Sequence, residues 1–322
     1  MSCSTLPVFP GLPAVGDRGR ASRDPFRWHS VNARTNRLIA QFLPPILTEA
    51  IRRLRRRDPL SPVQPEWQAV ADDDRVWTAP GGWSHQSIAV EQRRKWPALL
   101  AALASPRPFG RSHEADLEAP IGVSEHNIVM TFGYVLGRVA GEGRGARILD
   151  WGGGTGHYHA LARALRPDLA LDYTVKDLPG LCALGRELNP DCRFVEADDA
   201  ALSRRYDLVF ASSSIHYSRD VHGLVRRLCA AAAPWLMITR QPIVERHDDF
   251  VVLQRAHAYG YLTEYPGWFL NRRRLIDTVR SEGLELEREF LLDHRPVVRN
   301  APEQCRFAGF LFRRPGTTPS RG

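Results

Sequence analysis

The sequence predicts an α/β protein, with a mostly parallel sheet, helices on both faces and a helical cap at the N-terminal side. Three observations carry that expectation. Short β-branched runs alternate with amphipathic, helix-length stretches from residue 147 to residue 239, which is the pattern of a parallel sheet covered by helices. A glycine-rich turn joins the first of those runs to the helix after it. The chain has 322 residues, 43% hydrophobic and 25% charged, enough for a large core that needs no disulfide staples.

Taken in chain order, residues 1–35 are rich in Pro, Gly and Arg and read as a mobile arm. Between Leu38 and Leu54 apolar residues recur at helical spacing, and Pro45 suits the first turn of a helix ending near Arg57. Its Arg cluster sits at the C-terminal end, where positive charge is favoured. This helix either docks on the main domain or lies on an anionic membrane surface through residues 36–57. Pro59, Pro62 and Pro65 form a linker, and a Trp-rich stretch then leads into a helix from about Ser87 to Leu103. The cap is therefore drawn over residues 36–124. The main domain spans 125–314, with a tail at 315–322.

Within that domain a helical pattern covers about Glu125–Val139. Strands are read at Arg147–Asp150, Leu171–Val175, Arg193–Val195, Asp207–Phe210 and Trp235–Thr239. Helices are read at His157–Leu165, Leu181–Leu188 and Val221–Ala231. The segment after the fifth strand reads as a helical insertion. It leads to a helix around Arg274–Glu282 and a closing strand pair, Leu284–Leu292 and Arg306–Arg313.

Composition narrows the function classes. Residues 1–65 hold eleven Arg against Asp17, Asp24, Glu49 and Asp58, so +7 of the net +8 sits there. The nearly neutral remainder lacks the basic stripe a nucleic-acid surface needs. No uncharged apolar stretch is long enough to span a membrane, and the Pro-broken first residues make a poor secretory signal. The five cysteines include no CxxC pair and read as reduced thiols of a cytoplasmic protein without a zinc site. His157 and His159, two positions apart on a helix, face different sides and are read as non-metal.

The glycine turn runs Asp150-x-Gly152-x-Gly154-x-Gly156. Glycines there permit a tight turn and a close approach of a ligand to the backbone. A dinucleotide fingerprint requires a third glycine where His157 stands, and a phosphate loop requires a Gly-Lys-Ser/Thr run that the chain lacks. The pattern resembles instead the acidic-x-Gly-x-Gly-x-Gly loop of class I S-adenosylmethionine (SAM)-dependent methyltransferases, whose cofactor carries no phosphate. That resemblance implies a Rossmann-like sheet of seven strands with the last antiparallel. It also implies SAM as cofactor and a site at Asp150, Gly152, Gly154 and Gly156.

Further stretches extend the resemblance. Asp177-Leu178-Pro179 ends the second strand of the alternating series as in small-molecule O-methyltransferases, where this Asp holds the cofactor ribose. Asp177 would equally serve as a helix N-cap. In Val195-Glu-Ala-Asp-Asp199 the family's adenine contact falls on Asp198, with Asp199 as neighbour; a solvated acidic loop is the alternative. The fourth strand ends at Ser212 and runs into Ser213-Ser-Ile-His216-Tyr217, which resembles O-methyltransferases with a general-base His in this loop. His216 takes that position, as base or as a simple substrate contact, and Tyr217 stands beside the acceptor. Imidazole suits proton removal near neutral pH.

Residues from about Leu43 to Arg314 also resemble a methyltransferase group found in bacterial surface-polysaccharide gene clusters. The matching pieces include Leu43-Pro-Pro-Ile-Leu, Leu149-Asp-Trp-Gly-Gly-Gly, Ile238-Thr-Arg-Gln-Pro and Glu264-Tyr-Pro-Gly-Trp-Phe-Leu270. Arg240, Tyr265 and Trp268 then stand on the side that roofs the acceptor, where Tyr and Trp either stack on a ring or pack the core. The expected activity is methyl transfer to a small-molecule or saccharide acceptor, on oxygen. A non-catalytic SAM-binding protein, or a membrane- or nucleic-acid-associated module using the basic arm, are the alternatives.

Overall fold

The computed structural model describes residues 64–110, 121–140 and 145–316. The helix read near Leu38–Arg57, the arm before it and the tail beyond residue 316 lie outside the described residues. In chain order the elements are β1 (Trp67–Ala69), α1 (Asp74–Trp77), α2 (Gln86–Ala104), α3 (Val123–Ala140), β2 (Ala146–Trp151), α4 (His157–Leu165), β3 (Leu171–Lys176) and α5 (Pro179–Leu188). They continue with β4 (Arg193–Val195), α6 (Asp198–Leu202), β5 (Tyr206–Ser212), α7 (Val221–Ala231), β6 (Ala232–Val244), β7 (Phe250–Arg255) and β8 (Glu264–Asn271). The series closes with α8 (Arg272–Ser281), β9 (Glu285–Leu291), β10 (Val298–Arg299) and β11 (Arg306–Arg313).

Seven strands form the expected sheet in the order β4-β3-β2-β5-β6-β11-β9. The first five run parallel, and β11 is antiparallel to both β6 and β9. Each parallel connection passes through a helix, so both faces are covered. Side-chain alternation divides the core accordingly. Val209 and Ala211 of β5 pack with Val225 and Leu228 of α7 and Leu275 of α8. Leu208 and Phe210 pack on the other face with Phe132 and Leu136 of α3 and Tyr158 of α4. Each fully buried Val, Leu or Phe among them contributes about 1.5–3 kcal/mol.

Two expectations are corrected. The segment after the fifth strand of that series is not helical: it forms the antiparallel pair β7 and β8. Pro266 and Gly267 within β8 are residues that ordinarily argue against a strand. They are tolerated here because β8 meets β6 only at Ile243 and Val244, and because a Cβ on Gly267 would press on His216 and Tyr217 at 3.3 Å. The cap is not wholly helical either. β1 pairs with β7 and β10, so the sheet continues from β6 through β8, β7 and β1 to β10. Trp67, Phe269 and Phe307 pack this extension in edge-to-face contacts. Helix α2 does cap the sheet. His85 caps its start by accepting the Ser87 N–H, and Arg93 pairs with Glu187 of α5.

Candidate active site

The C-terminal ends of β2, β3 and β5, with Arg240 of β6, open onto a cavity of about 1190 Å³, roofed by α2. The β2–α4 turn forms its floor. Gly152, Gly154 and Gly156 all have positive φ, at 71°, 59° and 83°. A Cβ on Gly152 would lie 2.4 Å from that of Ser214, so the turn cannot be built with side chains there. Gly154 faces the cavity, and its N–H donates to Asp177 Oδ2 at 2.7 Å. The other oxygen of Asp177 accepts from Leu178 N–H at 2.7 Å. Both Asp177 and Leu178 line the cavity. Burial raises the Asp177 pKa, while these two N–H bonds and Lys176 oppose the rise.

Asp150 lies beneath the turn instead of on the cavity wall. It is 1% exposed, accepts the Tyr173 hydroxyl at 3.0 Å, and burial pushes its pKa up to about 8. A Cβ on Gly153 would meet its carboxyl group at 2.5 Å, so the acid props the turn from below. Gly156 also points away, toward Asn189 and Phe194. Of the acidic pair after β4, Asp198 lines the cavity and binds Lys176 Nζ at 2.6 Å, with that ammonium 4.5 Å from the Trp151 ring. Asp199 turns outward to Arg227, its side chain 99% exposed, and is off the cavity. Ser212 lines the cavity and bonds the Tyr158 hydroxyl at 3.0 Å.

The acceptor side differs more from expectation. The 3-10 turn Ile215–Tyr217 directs Tyr217 into the cavity and His216 behind it, the two rings 3.9 Å apart. His216 is fully buried, and neither ring nitrogen has a hydrogen-bond partner. Burial, then the charge of Arg240, lowers its pKa to about 3. The structure thus brings Tyr217 to the cavity and leaves His216 out of it. Tyr217 donates to Gln254 Oε1 at 2.6 Å, and Gln254 donates to Glu66 Oε1 at 2.9 Å. Tyr265 lines the cavity, stacked on Trp83 at 4.5 Å. Trp268 does not: it packs on Trp77 at 5.6 Å and donates to the Arg219 carbonyl. Arg240 lines the cavity with φ 50°, next to Ser213 with φ 52° on the neighbouring chain segment.

Sequence reasoning missed His294, Gln92, Lys176 and Gln254, all on the cavity wall. His294 follows β9, is exposed, and rests on Phe307 at 4.7 Å between ring centroids. Desolvation, then Arg240, keeps its pKa below the ordinary imidazole value. Among the described residues no cluster of His, Cys, Asp or Glu could hold a metal ion, and no helix is long and apolar enough to cross a membrane.

The donor set matches an adenosyl amino acid. Such a ligand presents hydroxyl and ammonium hydrogens and no phosphate. Asp177 keeps a lone pair on each oxygen after its backbone bonds, and Gly154 puts no Cβ into the cavity.

The profile of a methyltransferase domain matches residues 127–288, half of the sequence. The chain belongs to this methyltransferase-domain family. Among solved structures it is similar to the mitomycin 7-O-methyltransferase MmcR, at 16% identity over 72% of this chain and 70% of that one, with a TM-score of 0.40. A second is the 1,6-didemethyltoxoflavin-N1-methyltransferase of Burkholderia thailandensis, at 15% identity over 77% of this chain and 99% of that one, TM-score 0.40. A third is the amino pentose methyltransferase CalS10 of Micromonospora echinaspora, at 14% identity over 59% and 91%, TM-score 0.36. No curated protein matches the sequence.

Proposed function

We propose that this chain transfers the methyl group of SAM to an oxygen of a small-molecule or saccharide acceptor, within a domain spanning residues 125–314. The observation that carries the reading is the Gly154–Asp177 hydrogen bond at the floor of a large cavity in a methyltransferase-domain chain. When bound, SAM supplies a methyl carbon already activated by a sulfonium. Gly152, Gly154, Asp177, Leu178 and Asp198 hold the adenosyl side, with Ser212 at its edge. Tyr217, Arg240 and Tyr265 orient the acceptor. Alignment of this kind contributes about 7–11 kcal/mol, and a general base about 3–5 kcal/mol, so positioning dominates.

His294 is the base in this reading. Its imidazole faces the cavity and its lowered pKa keeps it neutral at pH 7, ready to take the proton an acceptor hydroxyl loses as its oxygen forms the new bond to carbon. His216 supports the wall behind Tyr217. The free thiols of Cys182, Cys192, Cys229 and Cys305 favour a cytoplasmic site of action. The test is transfer of labelled methyl from SAM into a panel of nucleotide sugars, free sugars and phenols, with titration of S-adenosylhomocysteine (SAH) by calorimetry. Absence of SAH binding would refute the reading.

A further inference from the structure

Helix α2 belongs to the cap, outside the sheet, yet one of its side chains reaches the glycine turn. Gln92 is only 7% exposed and lines the cavity. Its Nε2 lies 3.5 Å from the Tyr261 hydroxyl, a marginal contact, and its Oε1 is buried without any partner. That oxygen stands 3.4 Å from where a Cβ on Gly154 would be, so the amide rests directly over the glycine whose N–H is held by Asp177. A buried amide carbonyl left unpaired is costly, and native proteins rarely keep one without a use.

The placement is firmly held. Arg93 Nη2 bonds Glu187 Oε2 at 2.6 Å, Lys95 Nζ bonds the Tyr259 carbonyl at 2.7 Å, and Leu262 N–H bonds Ser87 Oγ at 3.0 Å. These contacts fix α2 on both sides of Gln92. The carbonyl therefore waits at one spot, over Gly154, for a hydrogen-bond donor that the protein itself does not provide.

We propose that Gln92 is a binding residue for the methyl donor, its Oε1 accepting a hydroxyl or ammonium hydrogen of the adenosyl amino acid held at Gly154 and Asp177. This inference rests on the donor site proposed above. It makes the cap part of that site, with α2 closing the cradle from the side opposite the sheet.

Calorimetric titration of SAH into wild type, Gln92→Met and Gln92→Glu tests it. Loss of one buried hydrogen bond predicts about tenfold weaker SAH binding by Gln92→Met. Gln92→Glu keeps an oxygen acceptor and should recover most of the affinity. The unliganded melting temperature of Gln92→Met should be no lower than wild type, since the orphaned carbonyl is gone. Adenosine, titrated in parallel, separates the two sources. A matching loss places the contact on the adenosine half of the ligand, and a loss confined to SAH identifies the ammonium. Equal SAH affinity in wild type and Gln92→Met overturns the inference. So does weaker binding accompanied by a lower unliganded melting temperature and no recovery in Gln92→Glu, because that is a packing effect. If wild type itself fails to bind SAH, the donor site is refuted and Gln92 with it.

Discussion

His216 offers the sharpest test of the reasoning, because its burial makes a quantitative claim about acid stability. The native ring is neutral down to about pH 3, whereas in the unfolded chain it titrates near 6.5. Between those values the unfolded state binds a proton that the native state does not. Linkage then requires stability to fall as pH falls through that window. At pH 8 the contribution is nil. At pH 5 the unfolded ring is ahead by one and a half pH units, which amounts to about 2 kcal/mol lost by the wild type. Replacing His216 by Leu removes this term and leaves other titrations in place. The packing cost of the substitution, near Gly267 and Tyr217, is common to both pH values and cancels in the comparison. Urea unfolding of both proteins at pH 8 and pH 5 should therefore show His216→Leu gaining about 2 kcal/mol on the wild type over that interval. A difference between the two proteins that does not change with pH would mean that the native ring takes up its proton as readily as the unfolded chain does, and would refute the claim that burial holds it neutral.

Asp150 makes the opposite claim. Its native pKa near 8 means that the folded protein holds a proton the unfolded chain releases above about 4, so its contribution is present at low pH and lost as pH rises toward 8. Relative to wild type, Asp150→Asn should gain about 3 kcal/mol between pH 5 and pH 7 in the same unfolding assay. Asp177→Ala strips the partner from two backbone N–H groups, and calorimetry should find SAH binding weakened by about tenfold or more, with a lower melting temperature. His294→Gln should lower turnover about a hundredfold while SAH affinity stays within about twofold. In the wild type, kcat/KM should fall on the acid side, at a pH below 6.5, since the lowered His294 pKa extends the neutral form downward. An acid limb that stays unchanged in His294→Gln would exclude that ring as the base.

The donor half of the molecule was legible because its rules are local. A strand, a glycine turn and a helix follow one another in thirty residues, and only residues able to take positive φ can stand at 152, 154 and 156. Asp177 was legible for the same reason, since the end of a parallel strand places its side chain at the mouth of the sheet. Finer placement was not. Asp198 and Asp199 are adjacent, yet the start of α6 turns one to Lys176 and the other to solvent. A single 3-10 turn decides that Tyr217 and not His216 enters the cavity. Strand β8 was hidden by Pro266 and Gly267, and the glycine makes sense only once the neighbouring His216 ring is in place. Gln92 left no trace in the pattern. It sits on a helix correctly read as a cap, and nothing in a helical period says that one amide will arrive above a glycine more than sixty residues away in sequence.

Strand β6 changes neighbours part-way along. It runs beside β5 as far as Thr239 and beside β8 only from Ile243, with Arg240 in a left-handed conformation at the junction and a register shift in β11 opposite. The kink splits one strand between two tasks. Residues before it are tied to the glycine turn through β5 and β2; those after it are tied to the sheet extension that bears Tyr265 and Gln254. Substitutions in that extension can reshape the acceptor's chamber without reaching the donor's cradle. A lineage carrying this fold is thereby free to exchange one alcohol for another while keeping the same methyl source.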